Sequence, residues 1–441
     1  MGFIKKHSTS ILLIFISVIL VFSAANVKWG GGRWHSIVRD DGKGYYAHLP
    51  AVFIYQDLSF KFYDEVENSK YHIPQLAYDY RNEYQGNIVN KYFVGTAVAE
   101  LPFFLMAHAL SEPFGFDSDG YSKIYYIFIS IAGLFYMVLG LYFLWKILLL
   151  YKIKKPNINI VLLSIGLGTH LFYYAAFEPC MSHVYSFVFV NAFVLFSKRY
   201  FLEGKKQHLF IAALMFGMII LIRPVNGLII LVLPFVAGSF SILKDCVIEL
   251  FTKKTLTFIG AFLIGFVVFS IQGIIYYIQT GQFIVYSYGN EHFNFLDSHM
   301  IDILFSYKKG LFLYTPICFL ALIGAYPLYR RSKFEFFSLL IFFLVLTYVL
   351  ASWWSWWYGG SFSSRVYVEY LFIFALLLAF ALEQINLKKW RILFIASLFF
   401  LILFNQKQTY LYRIGHIHYV DMDKEWYWKS VIDPLNLSFD Y

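Results

Sequence analysis

Apolar residues run through this chain in long blocks, and each block is close to the ~20 residues an α-helix needs to cross a bilayer. The blocks lie at roughly 9–25, 123–150, 158–177, 183–200, 208–222, 226–243, 255–277, 311–329, 334–352, 366–385 and 391–405. They predict an all-α integral membrane protein, a polytopic helical bundle with about eleven transmembrane helices. No fixed-period repeat, low-complexity stretch or linker divides the chain, so residues 1–441 read as one membrane domain.

The polar segments between the blocks fall into two kinds. Short basic ones at 1–9, 151–157, 198–207, 244–254, 330–333 and 388–391 hold 18 of the 36 Lys and Arg residues and only three acids, Glu203, Asp245 and Glu249. That bias places them in the cytoplasm and makes the net charge of +9 a matter of topology, not of nucleic-acid binding. The other kind lies outside. A long first extracytoplasmic loop, 26–91, balances eight basic against eight acidic residues. The weak cleavage signal Ala24-Ala25-Asn26 makes the first block a span, not a removable leader. Segment 92–110 is apolar but carries Glu100, Pro102 and His108, and a full crossing there would put Lys152, Lys154 and Lys155 outside. It reads as a re-entrant or interfacial helix, and residues 406–441 as an extracytoplasmic tail.

This topology gathers the unusual residues on the outer face. Asp40-Asp41, the turn Glu178–His183, Arg223-Pro224-Val225-Asn226, Lys308-Lys309-Gly310 and Trp353–Arg365 all emerge there. Adjacent side chains diverge, so one acid of the Asp40-Asp41 pair is expected to act. Asp41, beside Gly42-Lys43-Gly44, is favoured as a general base whose pKa partial burial would lift. A solvated Asp-Asp-Gly turn is the plainer alternative.

Arg365, at the start of a span and behind Gly359-Gly360, is the best candidate to stabilise a leaving phosphate. Lys308, Lys309 and Arg223 are weaker ones, since cations at helix ends commonly snorkel. His183 and Glu178 are candidate substrate contacts at the head of a span, and Glu100 an ionisable group at membrane depth. Tyr45 and Tyr46 begin an aromatic stretch to Asp57 that reads as an interfacial helix or as a packing helix closing the bundle. Trp357 belongs to an aromatic cluster suited to sugar faces or prenyl chains.

Three widely spaced cysteines support neither a disulfide framework nor a metal site, and the His-rich run Gly415–Asp423 matches no established metal spacing. There is no phosphate-binding loop and no dinucleotide fingerprint, so no cofactor is expected.

The outward acidic pair after the first span, the large first loop and the odd number of spans resemble the C-type membrane glycosyltransferases. That group includes protein O-mannosyltransferases and lipid A aminoarabinose transferases, and the chain is most similar to its bacterial members. The stretches that carry the likeness are Asp41–Tyr46, Glu178–Tyr185, Lys308–Phe312 and Trp357–Phe362; a second acidic motif of the Asp-Glu type is missing. The resemblance implies inverting transfer of a sugar from a polyprenyl-phosphate donor to a lipid, glycan or protein acceptor, at the outer face of a bacterial cytoplasmic membrane. A polysaccharide polymerase or ligase and a lipid-linked glycan flippase are the rival readings. The flippase predicts paired repeats with broken helices, which the sequence does not display.

Overall fold

The computed structural model of the protein describes residues 2–433, with side chains from residue 7 onward. Among the described residues six helices are long and apolar enough to cross a membrane, His7–Trp29, Lys123–Leu150, Thr255–Thr280, Lys333–Ala351, Arg365–Gln384 and Lys388–Arg413. Two bent pairs raise the number to eight if each pair is one span. This is a multi-pass helical membrane protein.

Among the described residues the eleven expected crossings are not all unbroken, because the chain interrupts three of the apolar blocks. Block 158–177 bends by 58° at Thr169, an extended residue whose hydroxyl accepts the Leu171 amide at 3.3 Å. In block 226–243, Pro224 opens a 3-10 stretch and Gly238 ends the next short helix in a left-handed turn. Phe240–Thr252 then leaves at 118°. Block 311–329 breaks at Thr315 before Pro316 and tightens at Leu322–Gly324. A Cβ on Gly324 would lie 1.8 Å from the Leu377 carbonyl oxygen, so only glycine lets these two segments pack.

Burial sorts the spans into layers. Leu371–Gln384 is hydrophobic all round and buried along most of its length, which makes it the central helix. Lys123–Leu150 and Lys155–Gly168 pack against it, and Ser182–Glu203 packs against the Arg365–Tyr370 turn that leads into it. Thr255–Thr280 has few buried residues and turns Leu256, Phe262, Phe266 and Val267 outward, as a helix against lipid does.

The first loop folds on itself. Helix Asp41–Phe53 is buried at Gly42 and from Gly44 to Ala51, with only Val52 and Phe53 well exposed, so it is a packing helix and not an interfacial one. Its Gly44 is required by contact: a Cβ there would sit 2.2 Å from the Tyr92 ring. A hairpin, Arg81–Tyr84 with Asn87–Asn90, turns through Gln85 and Gly86 at φ 50° and 80°, the pattern of a two-residue hairpin turn. It is the strand pair that the all-helical expectation lacked.

Segment 92–110 forms helix Gly95–Ser111. At 17 residues it is ~25 Å long, short of a hydrocarbon core. Glu100 on this helix is fully buried and accepts the Tyr185 hydroxyl at 2.9 Å. The tail is docked as far as it is described. Helix Lys424–Ile432 buries Tyr427, and His418 Nδ1 accepts the Asp421 amide at 2.8 Å to close a turn. Residues 434–441 of the expected tail lie outside the described residues.

A polar cavity built by distant segments

At one end of the bundle the loops enclose a cavity of about 550 Å³, within the usual size range of a small-ligand site. Asp41, Tyr45, Lys91, Tyr92, His183, Arg223, Glu291 and Arg365 line it, with Tyr286, Tyr288, Trp353, Trp357 and Tyr358 among its aromatic walls.

Asp41 is placed by a sharp backbone turn. Asp40, just before the helix, has φ 48°, and this turn sends the two carboxylates apart. Asp40 stays 56% exposed with Arg39 Nε at 3.6 Å, while Asp41 is 22% exposed. Asp41 Oδ2 accepts from Arg365 Nη2 at 2.6 Å, and Oδ1 accepts the Tyr92 hydroxyl at 2.7 Å. Burial pushes its carboxyl up, but Arg365, Tyr92 and Lys91 outweigh burial and hold it below the usual carboxylate range. The expected lift is thus reversed.

Each partner has its own support. The hairpin delivers Lys91 and Tyr92: Asn90 donates to the Gly44 carbonyl at 2.7 Å and accepts the Tyr92 amide at 2.9 Å. Tyr92 also bonds the Tyr78 hydroxyl. Lys91 pairs with Glu291 at 2.6 Å, and Ser287 donates to the Lys91 carbonyl at 2.8 Å, tying the 281–299 loop over the cavity. A bridge between Phe293 and Trp353 fastens the same loop to the aromatic cluster. Arg365 opens the turn Arg365–Tyr370 that leads into the central helix.

The expected site residues divide. Asp41, Tyr45, His183, Trp357 and Arg365 meet at the cavity, as does Arg223, which sequence alone ranked low. Asp40, Tyr46, Glu178, Lys308 and Lys309 do not line it. Tyr46 is buried and donates to the Gly120 carbonyl. Glu178 is sealed with Arg39 and accepts the Tyr173 hydroxyl at 2.7 Å. Lys308 lies 3.7 Å from the Trp357 ring centre, and its ammonium is 3.5 Å from Asp421.

Lys309 is buried and donates to the Ser361 carbonyl at 2.5 Å, and burial pushes its ammonium down to about 7. The substrate contact expected of this pair therefore finds no place on the cavity wall. Lys91, Tyr92, Tyr288 and Glu291 were missed. Lys91-Tyr92 sits at the edge of an apolar block, a weak signal, and Glu291 is unremarked until the loop folds over. Among the described residues no three His, Cys, Asp or Glu side chains are grouped so as to hold a metal ion.

No protein-family model and no curated protein matches the sequence. Solved structures do match. The oligosaccharyltransferase of the archaeon Archaeoglobus fulgidus in its apo form is similar over 96% of this chain, at TM-score 0.50 and 12% identity. The likeness is one of fold. AglB from the same organism, in complex with an inhibitory peptide and a dolichol-phosphate, gives 0.50 at 11% identity, and the enzyme tethered to an acceptor peptide gives 0.51 at 12%. In each case 96% of this chain is covered, and it spans 57% of the length of its neighbour. The helical architecture of these membrane oligosaccharyltransferases is the architecture seen here. The narrower likeness to O-mannosyl or aminoarabinose transferases finds no counterpart among these neighbours.

Proposed function

We propose that the protein is a membrane glycosyltransferase that moves a sugar from a polyprenyl-phosphate donor to an acceptor hydroxyl at the outer face of the membrane. The observation that carries this reading is the Asp41–Arg365 pair opening onto an aromatic-walled cavity. An ionised carboxylate in such a place accepts the hydroxyl proton as the acceptor oxygen bonds to the anomeric carbon. The bond from that carbon to the phosphate oxygen breaks, and the lipid phosphate leaves with its electrons and negative charge. Attack from the face opposite the phosphate inverts the anomeric centre.

Arg365 holds Asp41 ionised and aimed, and because the acceptor hydroxyl becomes acidic only late in bond formation, a weak base suffices. The cations on the cavity wall stabilise the departing phosphate. Tyr45, Trp357 and their aromatic neighbours offer flat apolar faces to the sugar and the prenyl chain. The neighbour tethered to an acceptor peptide makes a peptide the first acceptor to offer, beside lipid and glycan acceptors.

The test is purified protein in detergent with radiolabelled polyprenyl-phosphate hexoses and these acceptors, wild type beside Asp41→Asn. Label passing to an acceptor, and lost in the variant, supports the reading. Undiminished transfer by Asp41→Asn rules out the base assignment, and lipid-glycan movement in liposomes without transfer indicates a flippase.

A further inference from the structure

The two oxygens of Asp41 have partners of different kinds. Oδ2 carries the Arg365 guanidinium at 2.6 Å. Oδ1 carries a neutral hydroxyl, that of Tyr92, at 2.7 Å. A cation lowers the basicity of the oxygen it binds, so a proton taken from an acceptor settles on Oδ1. That proton has to leave before Asp41 can act again, since only the ionised carboxylate is a base.

The cavity is a poor way out. Arg365 and Lys91 line the wall and repel a proton near Asp41, and during turnover donor and acceptor fill the space. A second path starts at Tyr92. This side chain is 3% exposed, packed against the Tyr45 ring at 4.7 Å and the Tyr288 ring at 6.2 Å. Its hydroxyl has Asp41 on one side and the Tyr78 hydroxyl on the other. Tyr78 is partly exposed and does not line the cavity. The oxygens of Asp41, Tyr92 and Tyr78 therefore form a hydrogen-bonded chain from the base, through the wall, toward solvent on its far side.

The backbone around this chain is fixed. Asn90 accepts the Tyr92 amide at 2.9 Å, and the Tyr78 carbonyl accepts the Tyr63 hydroxyl at 3.1 Å. Between them the Tyr80 carbonyl accepts the Lys91 amide at 2.9 Å. The first loop is thereby tied to the end of the hairpin, with the two phenols in contact.

We propose that Tyr92 and Tyr78 are a proton relay that returns Asp41 to its ionised state without opening the cavity. This rests on the base role of Asp41 in the reading above. While Asp41 is ionised, Tyr92 gives its one hydrogen to Oδ1, and Tyr78 donates to Tyr92. Once Oδ1 holds the acceptor's proton, both hydroxyls turn round. The acid then donates to Tyr92, Tyr92 to Tyr78, and Tyr78 to water. The protons shift together by one place: the Oδ1–H bond breaks, each phenol oxygen gains one proton and releases one, and water receives the last. Both hydroxyls end pointing back toward Asp41, ready for the next turnover. Burial raises both phenols, so the concerted shift leaves no tyrosinate.

The test uses the radiolabelled transfer assay in detergent, with the first turnover timed by rapid quench beside the steady state. Tyr78→Phe keeps the Asp41–Tyr92 contact and removes only the exit oxygen. Its first turnover should match wild type, because Asp41 starts ionised. Steady-state turnover should fall about a hundredfold, the lower end for a positioned proton-transfer group. Tyr78→Ala leaves a gap for a small ring. There imidazole should restore turnover, and pyrrole, of the same shape without a basic nitrogen, should not.

Tyr78→Phe that turns over like wild type overturns the relay. A slowed first turnover, or rescue by pyrrole as well as imidazole, makes Tyr78 a packing residue and overturns it too. Undiminished transfer by Asp41→Asn is a different failure, since it removes the base assignment on which the relay stands.

Discussion

Two ion pairs of the same chemistry stand on either side of one turn, and they differ in what lies beyond them. Arg365–Asp41 opens onto the cavity, whereas Arg39–Glu178 is sealed, its carboxylate 3% exposed and also bonded to Tyr173. In both, burial raises the carboxyl and the arginine outweighs it, so both acids are held below the usual range. The electrostatics therefore do not separate a reactive carboxylate from a structural one. Access does: Asp41 can meet a substrate, while Glu178 can only brace the turn that carries it.

The strongest way to break this contrast is to remove each carboxylate in turn. Asp41→Asn is expected to cut sugar transfer by about a thousandfold, in the range for loss of a general base, while the protein still elutes as a single species in detergent. Glu178→Gln should do the reverse. It removes the buried carboxylate that Arg39 and Tyr173 bond, while Arg39, 30% exposed, keeps Asp40 at 3.6 Å, so a loss of about 1–3 kcal/mol is expected, seen as a lowered melting temperature with transfer per folded molecule retained. A Glu178→Gln protein that melts like wild type but has lost transfer would erase the distinction.

The pH dependence sharpens it further. Burial pushes Lys309 down to about 7 from its ordinary 10.5, so between those values the unfolded chain binds a proton that the folded chain excludes. Thermal stability should rise with pH across that window, and Lys309→Met should flatten the slope. The smallest effect is expected at Asp40. Its φ of 48° suits glycine, so Asp40→Gly should move stability by no more than ~1 kcal/mol and leave transfer intact. Loss of transfer in that variant would make the two aspartates partners and not alternatives.

Part of the site was legible in advance for a physical reason. The positive-inside bias sorts loops by side, so Asp41, Arg365, His183 and the Trp357 cluster could all be assigned to one face before any contact was known. Their grouping around a single cavity could not. Asp41 and Arg365 are 324 residues apart, and nothing local to either encodes the 2.6 Å contact.

Lys309 shows the opposite failure. As a charged residue beside a glycine in an outward loop it looked available, yet it is buried against carbonyl groups. Helix Asp41–Phe53 failed in the same direction: its aromatic stretch fits a headgroup layer or a protein interior equally well, and only packing against Tyr92 and its neighbours decided between them. The eleven expected spans are not all continuous helices, because composition measures apolarity and not continuity. Thr169, Pro224 and Thr315-Pro316 break blocks that read as unbroken.

By itself the sequence determined that this chain lives in a membrane, and its charge bias predicted that its unusual polar residues share one face. Hydropathy and charge are summed over segments and need no partner, so they survive without a structure. The tertiary structure alone decided which carboxylate opens onto a cavity and which cations are buried. Those are properties of pairs and enclosures, set by distances between residues that the chain keeps far apart.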